Sequence, residues 1–148
     1  TCSPAALERY RAKLSGPLLD RIDLHVEVPA VPHEELQTPA SKRPGTDSAS
    51  MRERVARARA VQTRRYAGTP CRANADLCGA MLDEHCALDA ECRQFLGLAA
   101  ERLALSARAY TRILRIARTI ADIEGCPSIE LPHLAEAVNC RVLDRERL

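Results

Sequence analysis

A chain of 148 residues with 46% apolar residues can fill one helical core, or one small domain plus an appendage. Aromatic residues make up only 3% and Trp is absent, so that core must be built from Ala, Leu, Ile and Val. A net charge of +2 gives no strong overall pull on nucleic acid or membrane, and no apolar run approaches the ~20 residues that span a bilayer.

Ser3-Pro4-Ala5-Ala6 predicts a short helix, with Ser3 as cap, Pro4 at the first helical position and Leu7, Tyr10 and Leu14 on its inner face. Ser15-Gly16-Pro17 breaks it, and Leu18-Leu19-Asp20-Arg21 follows as a turn. Ile22–Val28 alternates strictly: Ile22, Leu24, Val26 and Val28 point one way, Asp23, His25 and Glu27 the other. That is the period of a strand. No later stretch reads as its partner, and a lone strand cannot satisfy its backbone, so the rest of its sheet is expected upstream. The chain begins at Thr1 without Met, which fits a piece of a longer protein. The first 31 residues are therefore expected to be loosely attached. Residues 32–49 read as a mobile linker: Pro29 to Ala49 holds four prolines with Ser, Thr, Gly and scattered charge.

Ser50-Met51-Arg52-Glu53 is a capping-box pattern for a helix to about Tyr66, with Met51, Val55, Ala58 and Val61 as a thin apolar stripe. Ser48–Tyr66 carries six arginines and one glutamate, and Arg54, Arg57, Arg64 and Arg65 group on one side. A solvated face explains this pattern. A nucleic-acid surface is the alternative, although no aromatic residues interleave for base stacking. Asn74 can cap a helix to about Glu84 with Leu77 and Met81 inward. Asp89 can cap the next, to about Leu103, with Cys92, Phe95, Leu96, Ala99 and Leu103 on one face. A last helix runs from about Leu131 to Leu143, with Pro132 in its first turn and Leu134, Val138 and Val142 inward. Amphipathic helices with short connections make a compact bundle, so the chain is expected to be mainly α.

The clearest helix is Leu105–Gly125. Tyr110, Ile113, Leu114, Ala117, Ile120 and Ala121 keep one 3.6-residue face. Ser106 can cap its start, Gly125 can close its end, and Pro127 forbids continuation. Arg108 stands in the first turn, where the dipole is positive and a cation costs roughly 0.3–1 kcal/mol. It is either a solvated arginine or one aimed at a phosphate that faces the same helix start. Arg108, Arg112 and Arg115 form one basic stripe opposite the apolar face.

Catalytic chemistry is sparse. The chain has no Gly-x-x-x-x-Gly-Lys-[Ser/Thr] loop, no Gly-x-Ser-x-Gly and no His-Glu-x-x-His. Glu34–Glu35 and Asp83–Glu84 are adjacent acids, which do not face each other on a helix, and they read as solvated. Cysteines stand at 2, 71, 78, 86, 92, 126 and 140, with no Cys-x-x-Cys pair. Their spacing matches no common zinc pattern, so no metal site is expected and the thiols read as reduced. His133 reads as a surface or packing residue rather than a ligand. What remains is arginines at element ends, Arg21 before the strand and Arg108 at the helix start.

Two stretches carry a family resemblance: Tyr10-Arg11-Ala12-Lys13-Leu14-Ser15-Gly16-Pro17-Leu18-Leu19-Asp20-Arg21-Ile22-Asp23-Leu24-His25-Val26, and Leu105-Ser106-Ala107-Arg108-Ala109-Tyr110 continuing through Ala117-Arg118-Thr119-Ile120-Ala121-Asp122. They resemble the C-terminal part of the magnesium-chelatase-like AAA+ ATPases of bacteria, nearest the ComM/YifB branch. Asn74-Ala75 and Leu143-Asp144-Arg145 extend the likeness, which covers nearly the whole chain except the linker. The resemblance implies that residues 1–31 are the end of an α/β ATPase core, 32–49 a flexible linker and 50–148 an α-helical lid. It implies that Arg21 is an arginine finger reaching the ATP of a neighbouring subunit, and that Arg108 is the sensor-2 arginine reaching the γ-phosphate in its own. ATP and Mg²⁺ would belong to the longer parent, which carries the phosphate loops upstream; this piece alone would bind neither and hydrolyse nothing. The implied parent is a cytoplasmic homo-oligomeric ring, expected to be hexameric, that works on DNA branches during competence and recombination. A porphyrin-metallating chelatase subunit and a stand-alone basic DNA-binding module using Arg54, Arg57, Arg64 and Arg65 are the alternatives.

Overall fold

The structure, a computed structural model, describes residues 3–11, 13, 18, 21–37 and 45–141, apart from the side chains of Leu7, Arg11 and Glu35. Among them the chain is helical: α1 Pro4–Arg11, α2 His33–Gln37, α3 Ser48–Arg65, a 3₁₀ turn Asn74–Asp76, α4 Gly79–His85, α5 Ala90–Arg102, α6 Ala107–Glu124 and α7 Leu131–Asn139. The mainly α architecture expected from the apolar periodicity is the one observed.

α6 is the axis of the bundle. It packs against α7, α3 and the 3₁₀ turn, and α5 closes on α7. Ala117 and Ala137 are wholly buried, and their small side chains let α6 and α7 approach closely. Leu77, Leu96, Ile113 and Leu134 fill the remaining space. The ends of α6 follow the local chemistry. Ala109 N–H donates to Ser106 Oγ at 3.1 Å, and Gly125 at φ 78° takes the left-handed conformation that ends the helix. Asp89 caps α5 by accepting from Cys92 N–H at 2.8 Å. The α5–α6 turn is tight, and Ala104 takes φ 45° to make it.

Several expected elements differ. The strand expected at Ile22–Val28 is not formed; the segment is extended with one parallel bridge, His25 to Arg141. Its apolar row has no partner sheet among the described residues, so Ile22, Leu24, Val26 and Val28 are exposed while His25 is buried. α3 begins at Ser48, not Ser50. Asp47 is the cap, accepting from Ala49 N–H at 2.8 Å, Ser50 N–H at 2.9 Å and the Ser50 hydroxyl at 2.7 Å. A carboxylate accepts all three, whereas a hydroxyl at Ser50 could accept fewer; these bonds, the Ser50 N–H foremost, hold the Asp47 carboxyl below its usual range. Of the expected stripe Ala58 is buried and Val61 half-buried, but Met51 and Val55 are exposed, and α3 buries Gln62 beside Ala58. The helix expected from Asn74 to Glu84 is broken into the 3₁₀ turn and α4, because Asp76, not Asn74, serves the local N–H groups: its Oδ2 accepts from Arg72 and Ala73 at 2.8 and 3.0 Å. The stretch read as linker contains α2, and its last two residues belong to α3. α7 ends at Asn139, and Val142 and Leu143-Asp144-Arg145 lie outside the described residues, as do Cys2 and Leu14. Tyr10, expected inward, is exposed.

Among the described residues six cysteines are free, as the sequence suggests. Burial pushes the thiols of Cys86 and Cys92 up to about 11, so both stay neutral and unreactive. Iodoacetamide at pH ~8, near the ordinary thiol range, should modify exposed Cys78 first. Cys86 and Cys92 should react only after denaturation, as peptide mass mapping would read out. In urea titrations Ile113→Ala should cost about 2–5 kcal/mol, because the site is fully enclosed, whereas Leu98→Ala, at an exposed position, should stay within about 0.5 kcal/mol.

Candidate functional site: an arginine row on the axial helix

α6 carries arginines at 108, 112, 115 and 118, and the bundle gives each a different environment. Arg108 is exposed in the first turn, and its guanidinium has no hydrogen-bond or ion-pair partner among the described residues. One turn on, Arg112 Nε donates to Asp23 Oδ1 at 2.7 Å. Arg115 Nε donates to the Leu77 carbonyl at 2.8 Å, which secures the end of the 3₁₀ turn against α6. Arg118 is buried; it donates to Asp122 Oδ1 at 3.1 Å and to the carbonyls of Pro127 at 2.9 Å and Cys126 at 2.6 Å, tying down the loop after Gly125. The stripe expected at 108, 112 and 115 is therefore not a uniform basic face. Its first member alone has a guanidinium without a partner among the described residues.

Beneath this row lies a buried polar cluster that the sequence reading did not identify. Asp122 is its centre. It accepts from Arg118, from both terminal nitrogens of Arg65, the Nη1 contact being 2.8 Å, and from Asn74 Nδ2 at 2.8 Å. Asn74 is satisfied in turn: its Oδ1 accepts from the Tyr66 hydroxyl at 2.6 Å, and its Nδ2 also donates to Thr119 Oγ1 at 3.0 Å. Burial pushes the Asp122 carboxyl up, but the bonds from Arg65 and Asn74 and the charges of Arg118 and Arg65 outweigh it and hold the carboxyl below its usual range. The Asp122 bond also raises Arg65 above the ordinary arginine value. A signal for this cluster was present in the sequence. Arg118 and Asp122 stand at i and i+4 beside core positions Ala117 and Ala121, where a charged pair must be buried.

The other expected site residues are distributed as follows. Arg21 is exposed in the turn before the extended segment, where its N–H donates to the Leu18 carbonyl at 3.0 Å. Arg54, Arg57 and Arg64 are exposed on α3, and Arg57 pairs with Glu53 at 3.2 Å. Arg65 is a correction: it turns into the bundle to Asp122 and is lost to any basic surface. Asp83 and Glu84 are exposed as expected. His133 is a packing residue, 2% exposed.

One group of potential metal ligands does gather. The ligand atoms of Glu124, Cys126 and His133 lie within 4.8 Å of one another. His133 Nδ1 accepts the Glu130 N–H at 2.9 Å, so Nε2 carries the ring proton and donates it to Glu124 Oε2 at 2.9 Å. A metal would need the Nε2 lone pair and would force a proton onto Nδ1 against a backbone donor. The arrangement serves as a brace across the α6–α7 loop.

Asp122 stays ionised in the folded chain below the pH at which it protonates in the unfolded one. Its contribution is thus complete above about pH 4 and is lost as pH falls through the lowered folded value. Asp122→Asn should cost about 3–5 kcal/mol at pH ~7, since Arg65 and Arg118 would keep buried charge without a counterion. It should also flatten part of the acid-side loss of stability measured by denaturant melts between pH ~5 and ~2.

Comparison with known proteins identifies the setting of this site. Residues 45–141 match the family described as magnesium chelatase, subunit ChlI C-terminal, and residues 1–36 match magnesium chelatase, subunit ChlI. The chain is 43% identical over 143 residues to Competence protein ComM of Haemophilus influenzae, and 42% identical over 144 residues to the uncharacterized protein YifB of Salmonella typhimurium. It is 34% identical over 140 residues to an uncharacterized protein of Mycobacterium bovis. The ComM and YifB alignments take in 97% of this chain and 27% of the relative, so the chain spans about a quarter of the length of these proteins. No described helix is long and apolar enough to cross a membrane. The match of most of the chain to one family, over the helices that carry the arginine row, means that it belongs to the magnesium chelatase ChlI C-terminal family, in its ComM/YifB-type branch.

Proposed function

We propose that this chain is the nucleotide-sensing lid of a larger ATP-hydrolysing ring. Arg108 reaches the γ-phosphate of ATP held by its own subunit, and Arg21 acts as a finger toward the ATP of the neighbouring subunit. The observation that carries the reading is the state of Arg108. Its three successors on α6 are all engaged, while its own guanidinium stays exposed at the positive end of the helix. An arginine offers a fork of N–H donors that matches a phosphate in two bonds. Both the donor chemistry and the exposure suit an anionic ligand supplied by another part of the protein. An arginine that meets a transferring phosphoryl group stabilises the charge of its transition state, and a finger of this kind is worth roughly 10³–10⁵ in kcat.

The proposed work of the ring is on DNA branches during competence and recombination. The likeness to a relative named Competence protein ComM supports it over a porphyrin-metallating role. A stand-alone DNA-binding module is less well supported, because Arg65 faces inward and Arg57 already has an acidic neighbour.

In the full-length protein Arg108→Ala should leave assembly intact and lower ATP turnover at least ~10²-fold. Arg21→Ala should inhibit wild-type subunits in mixed rings, because the finger acts across the interface. Steady-state hydrolysis together with sizing chromatography checks both; wild-type turnover in the two variants would refute the assignment. A low-salt DNA titration of this chain checks the basic-module reading, which requires strongly salt-dependent binding.

A further inference from the structure

The segment that carries Arg21 is joined to the bundle by polar contacts and little apolar packing. Arg112 Nε donates to Asp23 Oδ1 at 2.7 Å. His25 N–H donates to the Cys140 carbonyl at 2.7 Å, and fully buried Arg141 donates to the Ile22 carbonyl. Between these contacts a cavity of about 370 Å³ separates Asp23 and Leu24 from Ile116, Ile120 and Ile123 of α6. Leu24 is half exposed and does not fill it. The contacts at Cys140 and Arg141 fix the segment just beyond the end of α7, whereas the Asp23–Arg112 pair links it to α6.

This pair stands between the two arginines assigned above. Asp23 is two residues from Arg21. Arg112 is one helical turn, about 6 Å of rise, from Arg108 on the same α6. Whatever direction α6 takes, Arg112 carries it to Asp23. The Arg112 side chain is 16% exposed and that of Asp23 63%, so the pair is partly screened on the helix side and has a defined geometry. An interaction of this kind contributes little to folding. It can still decide the orientation of a short segment that packing does not hold.

We propose that Asp23 and Arg112 are a positioning pair that sets Arg21 in register with the lid helix, so that the finger is presented to the neighbouring subunit from a fixed point on α6. The inference rests on the reading of Arg21 and Arg108 given above. Neither Asp23 nor Arg112 touches the nucleotide; both act through Arg21.

Mixed rings of the full-length protein test this. Asp23→Asn should lower kcat about 10- to 100-fold, as small misplacements of a catalytic group do, with nucleotide affinity and assembly unchanged. The Asp23→Arg/Arg112→Asp double variant, which reverses the pair, should recover most of the loss. A finger defect and a defect in the subunit's own pocket are separated by complementation. Asp23→Asn subunits mixed with Arg108→Ala subunits should turn over faster than either alone, because the Arg108→Ala partner supplies a well-placed Arg21 to an intact pocket. Asp23→Asn mixed with Arg21→Ala should not recover, since neither supplies a working finger. The opposite complementation pattern, or wild-type kcat in Asp23→Asn, would overturn the positioning role. Complementation between Arg21→Ala and Arg108→Ala reports separately on the underlying reading; failure of two inactive singles to complement, or wild-type turnover in both singles, would overturn that reading and the pair with it.

Discussion

A single buried carboxylate organises the bundle. Asp122 accepts from Arg65 of α3, from Asn74 of the 3₁₀ turn and from Arg118 one turn back on α6, while Arg118 also holds the carbonyls of Cys126 and Pro127. These contacts cross the bundle from α3 to the α6–α7 loop. The ion has lost water on all sides, and only a full set of donors makes that tolerable. Such a cluster is costly to break and adds little net stability over an apolar replacement of the same shape. Its consequence is geometric: the donors arrive from fixed directions, so α3, the 3₁₀ turn and α6 take one mutual arrangement.

The direction of α6 matters because of what it carries at its other end. The arginines at 118, 115, 112 and 108 change from buried, to bound to a carbonyl, to paired at the rim, to exposed. The inner two anchor the helix and the third reaches the neighbouring segment. The outermost is exposed, and its guanidinium has no partner among the described residues.

Segment 22–28 illustrates how a pattern and its realisation separate. Alternation of Ile, Leu and Val with polar residues encodes a surface meant to be covered on one side. Here the backbone finds one bridge partner and the apolar row lies open. Polar contacts, which need direction but little area, tether the segment instead. Its relation to α6 consequently depends on a few identifiable atoms, Asp23 Oδ1 and the Ile22 carbonyl among them.

What was legible in the sequence was local. The Ser106 and Asp89 caps and the closure at Gly125 each depend on residues within a turn or so of one another, and the inward faces of α5 to α7 follow from the apolar spacing along each helix. The family likeness was legible too, in two contiguous stretches. The tertiary structure decided which polar side chains would be spent on folding. Arg65 meets Asp122 across 57 positions, Asn74 meets it across 48, and Arg141 meets Ile22 across 119. None of these has a signature at either end alone. Arg65 looks like the arginines around it, and Asn74 looks like a cap, until the packing of α3 on α6 removes water from one side chain and not from its neighbour. Desolvation is a property of the assembled bundle, and it separates the arginines that are drawn into the fold, Arg65 and Arg118, from those that stay in water, Arg64 and Arg108.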